Sequence, residues 1–262
     1  MVIVHPEYAI LILELNDLRE EIADLIVERD MLQYFVCKDI KIDYILKIGA
    51  LEYKLIIAKN DLARALRKLE LIEEKIKKSS EIDIEKIDRK IAREFKEKTK
   101  AEKEMLEDID FAIEVTGLEM FDYEFIEKMS MDYYKIQKKH NPLFELEFSE
   151  DDIKDFEKIE NYYRKANYQK LHKLAQDCNE DEMFQDEISN MKKLKDRYYE
   201  ILEEVQRQIR KIKNTFPYNQ KVILDDENLC RRKKDNLNRE INKVKAELKK
   251  AEKEIKNKLK KL

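Results

Sequence analysis

The sequence predicts an all-α protein, and three observations carry that prediction. Only 2 Gly and 3 Pro in 262 residues leave too little turn chemistry for strand hairpins or tight α/β loops. Charged residues make up 43% of the chain, far above the roughly 25% of an average globular domain and close to the Glu/Lys/Leu balance of coiled coils. The apolar residues, another 43%, recur at three- and four-residue steps, which is the period of one helical face. A disordered chain of similar charge lacks such order.

Taken in order, Pro6 suits the first turn of a helix. Leu11, Leu15, Leu18, Ile22, Leu25 and Leu32 then mark one apolar stripe, predicting a helix from residue 6 to about residue 34. Past Cys37, the residues Tyr44, Ile48, Leu51, Leu55, Ala58, Leu62, Ala65, Leu69, Ile72 and Ile76 hold a heptad seam, the mark of a coiled coil. Gly49 falls inside that seam, where it costs about 1 kcal/mol relative to Ala. A close helix contact or a local kink is expected there. Ser79 and Ser80 interrupt the pattern, and Ser80 with Asp83 resembles a capping box that restarts a helix. The seam resumes at Ile84, Ile87, Ile91 and Phe95, so two long helices joined by a short break predict an antiparallel hairpin. Gly117 is the expected stop.

Further on, Phe184, Ile188, Met191, Tyr198, Leu202, Val205, Ile209 and Ile212 give another amphipathic helix, which Pro217 forbids to continue. A last helix carries Leu237, Ile241, Val244, Leu248, Ala251, Ile255 and Leu259 in register. Residues 182–262 therefore read as a second hairpin. The expected division is 1–117, an N-terminal helix and coiled-coil hairpin; 118–178, a small helical domain; and 179–262, a C-terminal hairpin with a basic last helix.

The stretch between the hairpins is the most informative. Tyr133 to Pro142 reads as a lysine-bearing helix and a proline turn, and an acidic gap leads into a second helix from Asp155 to Arg164. Phe156, Ile159 and Tyr163 fall at i, i+3 and i+7, on one helical face. Together these segments resemble helices II and III of a J-domain, the DnaJ-related family recognised by a lysine-bearing helix, a His-Pro-Asp loop and a partner helix with an F-x-x-I/A-x-x-x-Y pattern. The His-Pro-Asp motif is degenerate: the loop reads Asn141-Pro142-Leu143, and a shifted alignment brings His140 into the histidine place but leaves Leu143 where aspartate belongs. Tyr162 stands where the family has alanine, and Ala166 where it often has glycine. Cys37 to Lys54 also resembles a segment upstream of the J-like region in a family of uncharacterised Gram-positive bacterial proteins, which combine a coiled-coil hairpin with a J-like domain. The resemblance spans roughly residues 18–175.

The resemblance implies a core of Tyr133, Ile136, Phe156, Ile159, Tyr163 and Leu171, and a partner-binding surface of Lys135, Lys138, Lys139, His140, Asn141 and Pro142. In the family this surface docks on a DnaK-type chaperone and triggers ATP hydrolysis. Without histidine and aspartate, that stimulation is not expected here. A solvated helix face is the other reading of the lysines.

Catalysis is hard to build from this inventory. His5, His140 and His172 are scattered, no zinc-protease or phosphate-loop spacing is present, and the acids of 145–160 lack calcium-loop spacing. No cofactor and no metal are expected. Cys37, Cys178 and Cys230 lack C-x-x-C spacing, which with the lack of any run near 20 apolar residues predicts a cytoplasmic protein without a disulfide framework. Charge is uneven: residues 228–262 hold 14 Lys/Arg against 5 Asp/Glu. That tail could meet phosphates, but no aromatic is interleaved for base stacking, and an acidic hairpin partner could neutralise one face. The chain thus reads as a non-enzymatic protein-interaction module. Its expected partners are a DnaK-type chaperone or another protein, and its own copies through the coiled coils; no membrane is expected. The alternatives are a structural coiled-coil scaffold, and nucleic-acid binding through the basic last helix.

Overall fold

The structure, a computed structural model, describes residues 6–78, 80–116, 122–178 and 187–260. These are almost entirely helical: α1 (Pro6–Met31), α2 (Cys37–Tyr44), α3 (Ala50–Lys77), α4 (Ile84–Glu94), α5 (Lys96–Glu114), α6 (Tyr123–His140), α7 (Glu150–Arg164), α8 (Tyr168–Gln176), α9 (Ile188–Asn214), α10 (Lys221–Asp225) and α11 (Glu227–Leu259). The expected stop at Gly117, the interruption at Ser79 and the seam residue Phe184 lie outside the described residues.

From Pro6 to Lys77 the chain stays helical, with π turns at Leu32–Val36 and Ile45–Gly49. The heptads supply a reason. Continued from Leu32 by alternating steps of four and three, the first seam would use Val36, Asp39 and Asp43, whereas the second seam uses Tyr44. Continued further, the two seams are out of step by one and two residues alternately, and the two π turns, each with an i→i+5 bond, take up such an insertion. Gly49 closes the second π turn, and a Cβ there would meet Ile45 at 3.4 Å, so the expected local distortion is this turn. α4 starts differently from expectation. Asp83 itself is the cap, accepting from the Lys86 amide at 2.9 Å, and Ser80 hydrogen-bonds the Lys78 carbonyl instead.

The chain divides into two compact units, Met1–Ile40 with Glu119–Asn219, and Lys41–Leu118 with Gln220–Leu262. In the first, α1 lies along α9. Leu11, Leu15, Leu18, Ile22 and Ile26 interlock with Met191, Leu194, Tyr198, Val205 and Ile209. Glu14 pairs with Lys195 and Glu28 with Lys213, each at 2.6 Å, so the two helices run parallel. On another side of α1 packs α6, and α7 and α8 pack in turn against α6.

In the second unit α3 is central. It runs parallel to α11, with Lys59 on Glu240 at 2.6 Å and Glu73 on Lys258 at 2.7 Å. It also runs antiparallel to α4, with Lys68 on Asp88 at 2.6 Å and Arg67 on Glu94 at 2.8 Å. Leu55 and Ala58 meet Ile241 and Val244, while Leu71 and Ile72 meet Ile87, Ile91 and Ile255.

This grouping differs from the expected three consecutive parts: among the described residues α9 is partnered by α1 and α11 by α3. Each of these long helices covers a stripe that a two-helix hairpin leaves half open. No helix among the described residues is long and apolar enough to cross a membrane.

Leu15 and Ile72 are fully buried, one in each unit. Leu15→Ala and Ile72→Ala should each destabilise the protein by about 2–5 kcal/mol, read by denaturant unfolding followed by circular dichroism. A loss well under 1 kcal/mol would mean that the seam in question is not packed.

Candidate interaction site

The site begins at α6, whose N-terminus is capped by Asp122. Its apolar positions Ile126, Met129, Tyr133 and Ile136 share one face. α7 opens on a reciprocal capping box between Ser149 and Asp152, with Glu150 and Asp151 in the first turn, where the helix dipole favours carboxylates. α8 adds Leu171 and Ala175. The expected core residues Tyr133, Ile136, Phe156, Tyr163 and Leu171 are all buried in one cluster, and Ile159 packs at its edge. Tyr133 and Tyr163 stack with ring centroids 4.1 Å apart, Phe35 of the first π turn meets Tyr163 edge-on at 5.4 Å, and the Tyr163 hydroxyl bonds Ser130 Oγ at 2.7 Å.

α7 ends in a Schellman turn, with the Asn167 amide on the Tyr162 carbonyl and the Ala166 amide on that of Tyr163. Ala166 takes φ +53° there, a left-handed conformation that glycine adopts without penalty.

Beneath the tyrosines lies an acid that sequence reasoning missed. Asp30 is 1% exposed. Tyr133 donates to its Oδ2 at 2.9 Å, and Arg29 donates to its Oδ1 at 2.7 Å. The signal was its place, four residues beyond Ile26 and eight beyond Ile22 on the buried stripe of α1. Burial, and then the charge of Asp30, raises the carboxyl pKa of nearby Glu160, against the opposing pull of Arg29. Burial likewise pushes the Tyr133 hydroxyl well above its ordinary value.

The expected partner-binding surface is only partly a surface. Asn141 is 5% exposed, and Pro142 is buried beside it. Asn141 Oδ1 accepts from the Leu143 amide at 2.9 Å, and its Nδ2 donates to Gln137 Oε1 at 2.7 Å, so this residue caps the short 3-10 turn Pro142–Phe144. Phe144 is 1% exposed. Its ring meets Tyr198 of α9 edge-on at 5.4 Å, with the Arg19 guanidinium 5.4 Å from its centroid. The Tyr198 hydroxyl donates to the Phe144 carbonyl at 2.8 Å, and Arg197 donates to the carbonyls of Glu145 and Leu146. The loop is thus closed by α1 and α9. Lys138 is held by Glu20 of α1 at 2.8 Å. Lys135 and His140 are exposed, and Lys139 is half-buried.

His172 sits at the edge of this core, its Nδ1 2.8 Å from Asp132 Oδ2 and its ring stacked on Tyr168. Cys37, Cys178 and Cys230 are free thiols, and burial raises the pKa of Cys37 and Cys178, which disfavours the reactive thiolate. Among the described residues no group of three or more His, Cys, Asp or Glu is placed to hold a metal ion.

Two outcomes follow from this geometry. A carboxyl that binds its proton more tightly in the folded state favours folding below its unfolded value of about 4.3 and opposes folding as pH rises through the raised value. Glu160→Gln should therefore raise stability at pH 7, and the gain should vanish near pH 4 in unfolding titrations. A gain independent of pH would rule out burial of the charge as its cause. Ala166→Gly should relieve the left-handed alanine and add up to about 1 kcal/mol, seen as a higher unfolding midpoint; a clear loss would contradict that assignment.

No protein-family model matches the chain, and neither a curated protein nor a solved structure matches it.

Proposed function

We propose that this chain is a non-enzymatic, cytoplasmic protein that acts through protein contacts, and that its J-like segment at 118–178 serves as architecture without triggering a DnaK-type ATPase. The closed loop carries this reading. Asn141 and Pro142 are buried, and the carbonyls that follow them are held by Tyr198 and Arg197. A docking partner would have to displace α9 before reaching the carbonyls of Phe144 to Leu146. The side chains that define the family's contact, histidine and aspartate, are replaced by asparagine and leucine. Free thiols suit a reducing compartment.

Restoring the motif is not a neutral change here. Leu143 is 40% exposed, so Leu143→Asp is readily tolerated. Asn141→His would drive a ring into a filled site and remove both Asn141 side-chain bonds. Self-association through the heptads is not required by this reading, because the apolar stripes of α1 and α3 are covered by α9 and α11 within the chain.

Single-turnover ATP hydrolysis by a bacterial DnaK-type chaperone tests the proposal, with an active J-protein as control. The unmodified protein should leave the rate at its basal value. An Arg197→Ala/Tyr198→Phe variant, which frees the loop, should do the same, since the histidine and aspartate are still absent. Acceleration by the unmodified chain would overturn the proposal.

A further inference from the structure

The charges of α11 are sorted onto different sides of the helix. Its apolar stripe, including Leu237, Ile241, Val244 and Ile255, is turned to the core of its unit. At about 100° per residue, the residues opposite that stripe fall within a sector of about 140° running from Asn228 to Lys260. Residues 231–260 contain thirteen Lys and Arg, and nine of them lie in this sector, all but Lys233, Lys234, Lys245 and Lys258. The rest of the sector is Asn228, Asn238, Asn242, Asn257, Ala246 and a single acid, Asp235. Every one of these side chains is exposed. The acids Glu240, Glu247 and Glu254, spaced by seven, flank the apolar stripe instead, and Glu240 is taken by Lys59. Lys233 and Lys258 are engaged by Glu52 and Glu73 of α3. None of the nine outward cations takes part in an ion pair among the described residues. The neutralising helix that the sequence suggested is not the partner of α11, and α3 reaches only the edges of its charge.

Such an array repels itself and is relieved by a polyanion. It extends along about 45 Å of helix, and a nucleic-acid duplex offers one negative charge per roughly 1.7 Å of its axis. Asparagine side chains also donate to phosphate oxygens. The sector has no aromatic residue for stacking unpaired bases and no apolar residue beyond Ala246 to enter a lipid interface. We infer that the outer face of α11 binds the phosphate backbone of a duplex nucleic acid without reading its sequence. This goes beyond the role proposed above and does not depend on it.

The test is fluorescence anisotropy with the full chain and two labelled 30-base-pair DNA duplexes of unrelated sequence. Both should bind equally at 50 mM NaCl and lose about a thousandfold in affinity by 200 mM if six or more phosphates are engaged. A Lys249→Glu/Lys250→Glu/Lys253→Glu/Lys256→Glu variant, altered only at exposed positions, should keep its helical signal and melting temperature. It should bind at least tenfold more weakly, with a shallower salt dependence. Absence of binding at 50 mM, equal binding by the variant, a strong preference between the duplexes, or binding confined to phosphatidylserine vesicles would each overturn the inference.

Discussion

The packing of α1 against α9 is the interaction on which the first unit depends. Leu15 and Ile22 meet Met191 and Tyr198 with no exposure left, and burial of each such side chain contributes about 1.5–3 kcal/mol. The same two helices supply the groups that close the loop after α6, since Arg19 comes from α1 and Arg197 and Tyr198 from α9. Helices α6 to α8 also do not own their core, because Phe35 and Asp30 enter it from the N-terminal part of the chain. Helices α6 to α8 are therefore a piece of a larger unit, and the state of the loop after α6 is set by residues far away in sequence.

That dependence explains why short-range reasoning about hairpins fell short. A short break between two amphipathic helices suggests that they fold back on one another, as α3 and α4 do. For α9 and α11 the competition goes the other way. Closing a loop of about 160 residues in place of one of about 10 adds only about 2–3 kcal/mol of entropy cost by the logarithmic rule. Two or three additional buried leucines or isoleucines offset it. Parallel pairing then follows, because a connection of that length permits either direction.

The sequence made the helices and the local core legible and left the partnerships hidden. Phe156, Ile159 and Tyr163 were placed on one face because helical spacing fixes which residues share it, and that is a local property, whereas Tyr133, Ile136 and Leu171 were expected beside them from the resemblance alone. Asp30 was missed because an acid on a heptad stripe looks like a solvated flank until Tyr133 is seen to reach it. Asn141 was read as part of a partner-binding loop, although an asparagine after a helix and before Pro142 is also a natural cap. The charge of α11 shows the same limit. A run rich in lysine states a net excess, but only the choice of α3 as partner decides that Lys233 and Lys258 turn inward and Lys249, Lys250, Lys253 and Lys256 outward.

The buried acid beneath Tyr133 shows what the core gains from polar groups. Taking Asp30 and Arg29 out of water costs several kcal/mol per ion before their attraction is counted, so the pair is a poor source of stability. Its geometric demands are strict, however. Asp30 Oδ2 accepts from Tyr133 on α6 and Oδ1 is held by Arg29 on α1, while burial, and then the charge of Asp30, raises the carboxyl pKa of Glu160 on α7. Shifting the register of α6 on α1 by one residue would turn Tyr133 away by about 100° and leave Oδ2 of the buried carboxylate without its donor, at a cost of about 1–3 kcal/mol, although Arg29 would still hold Oδ1. The Tyr133–Asp30 bond is thus satisfied in the register in which Tyr133 also stacks on Tyr163, and in which α6 ends at the Asn141 cap of the closed loop.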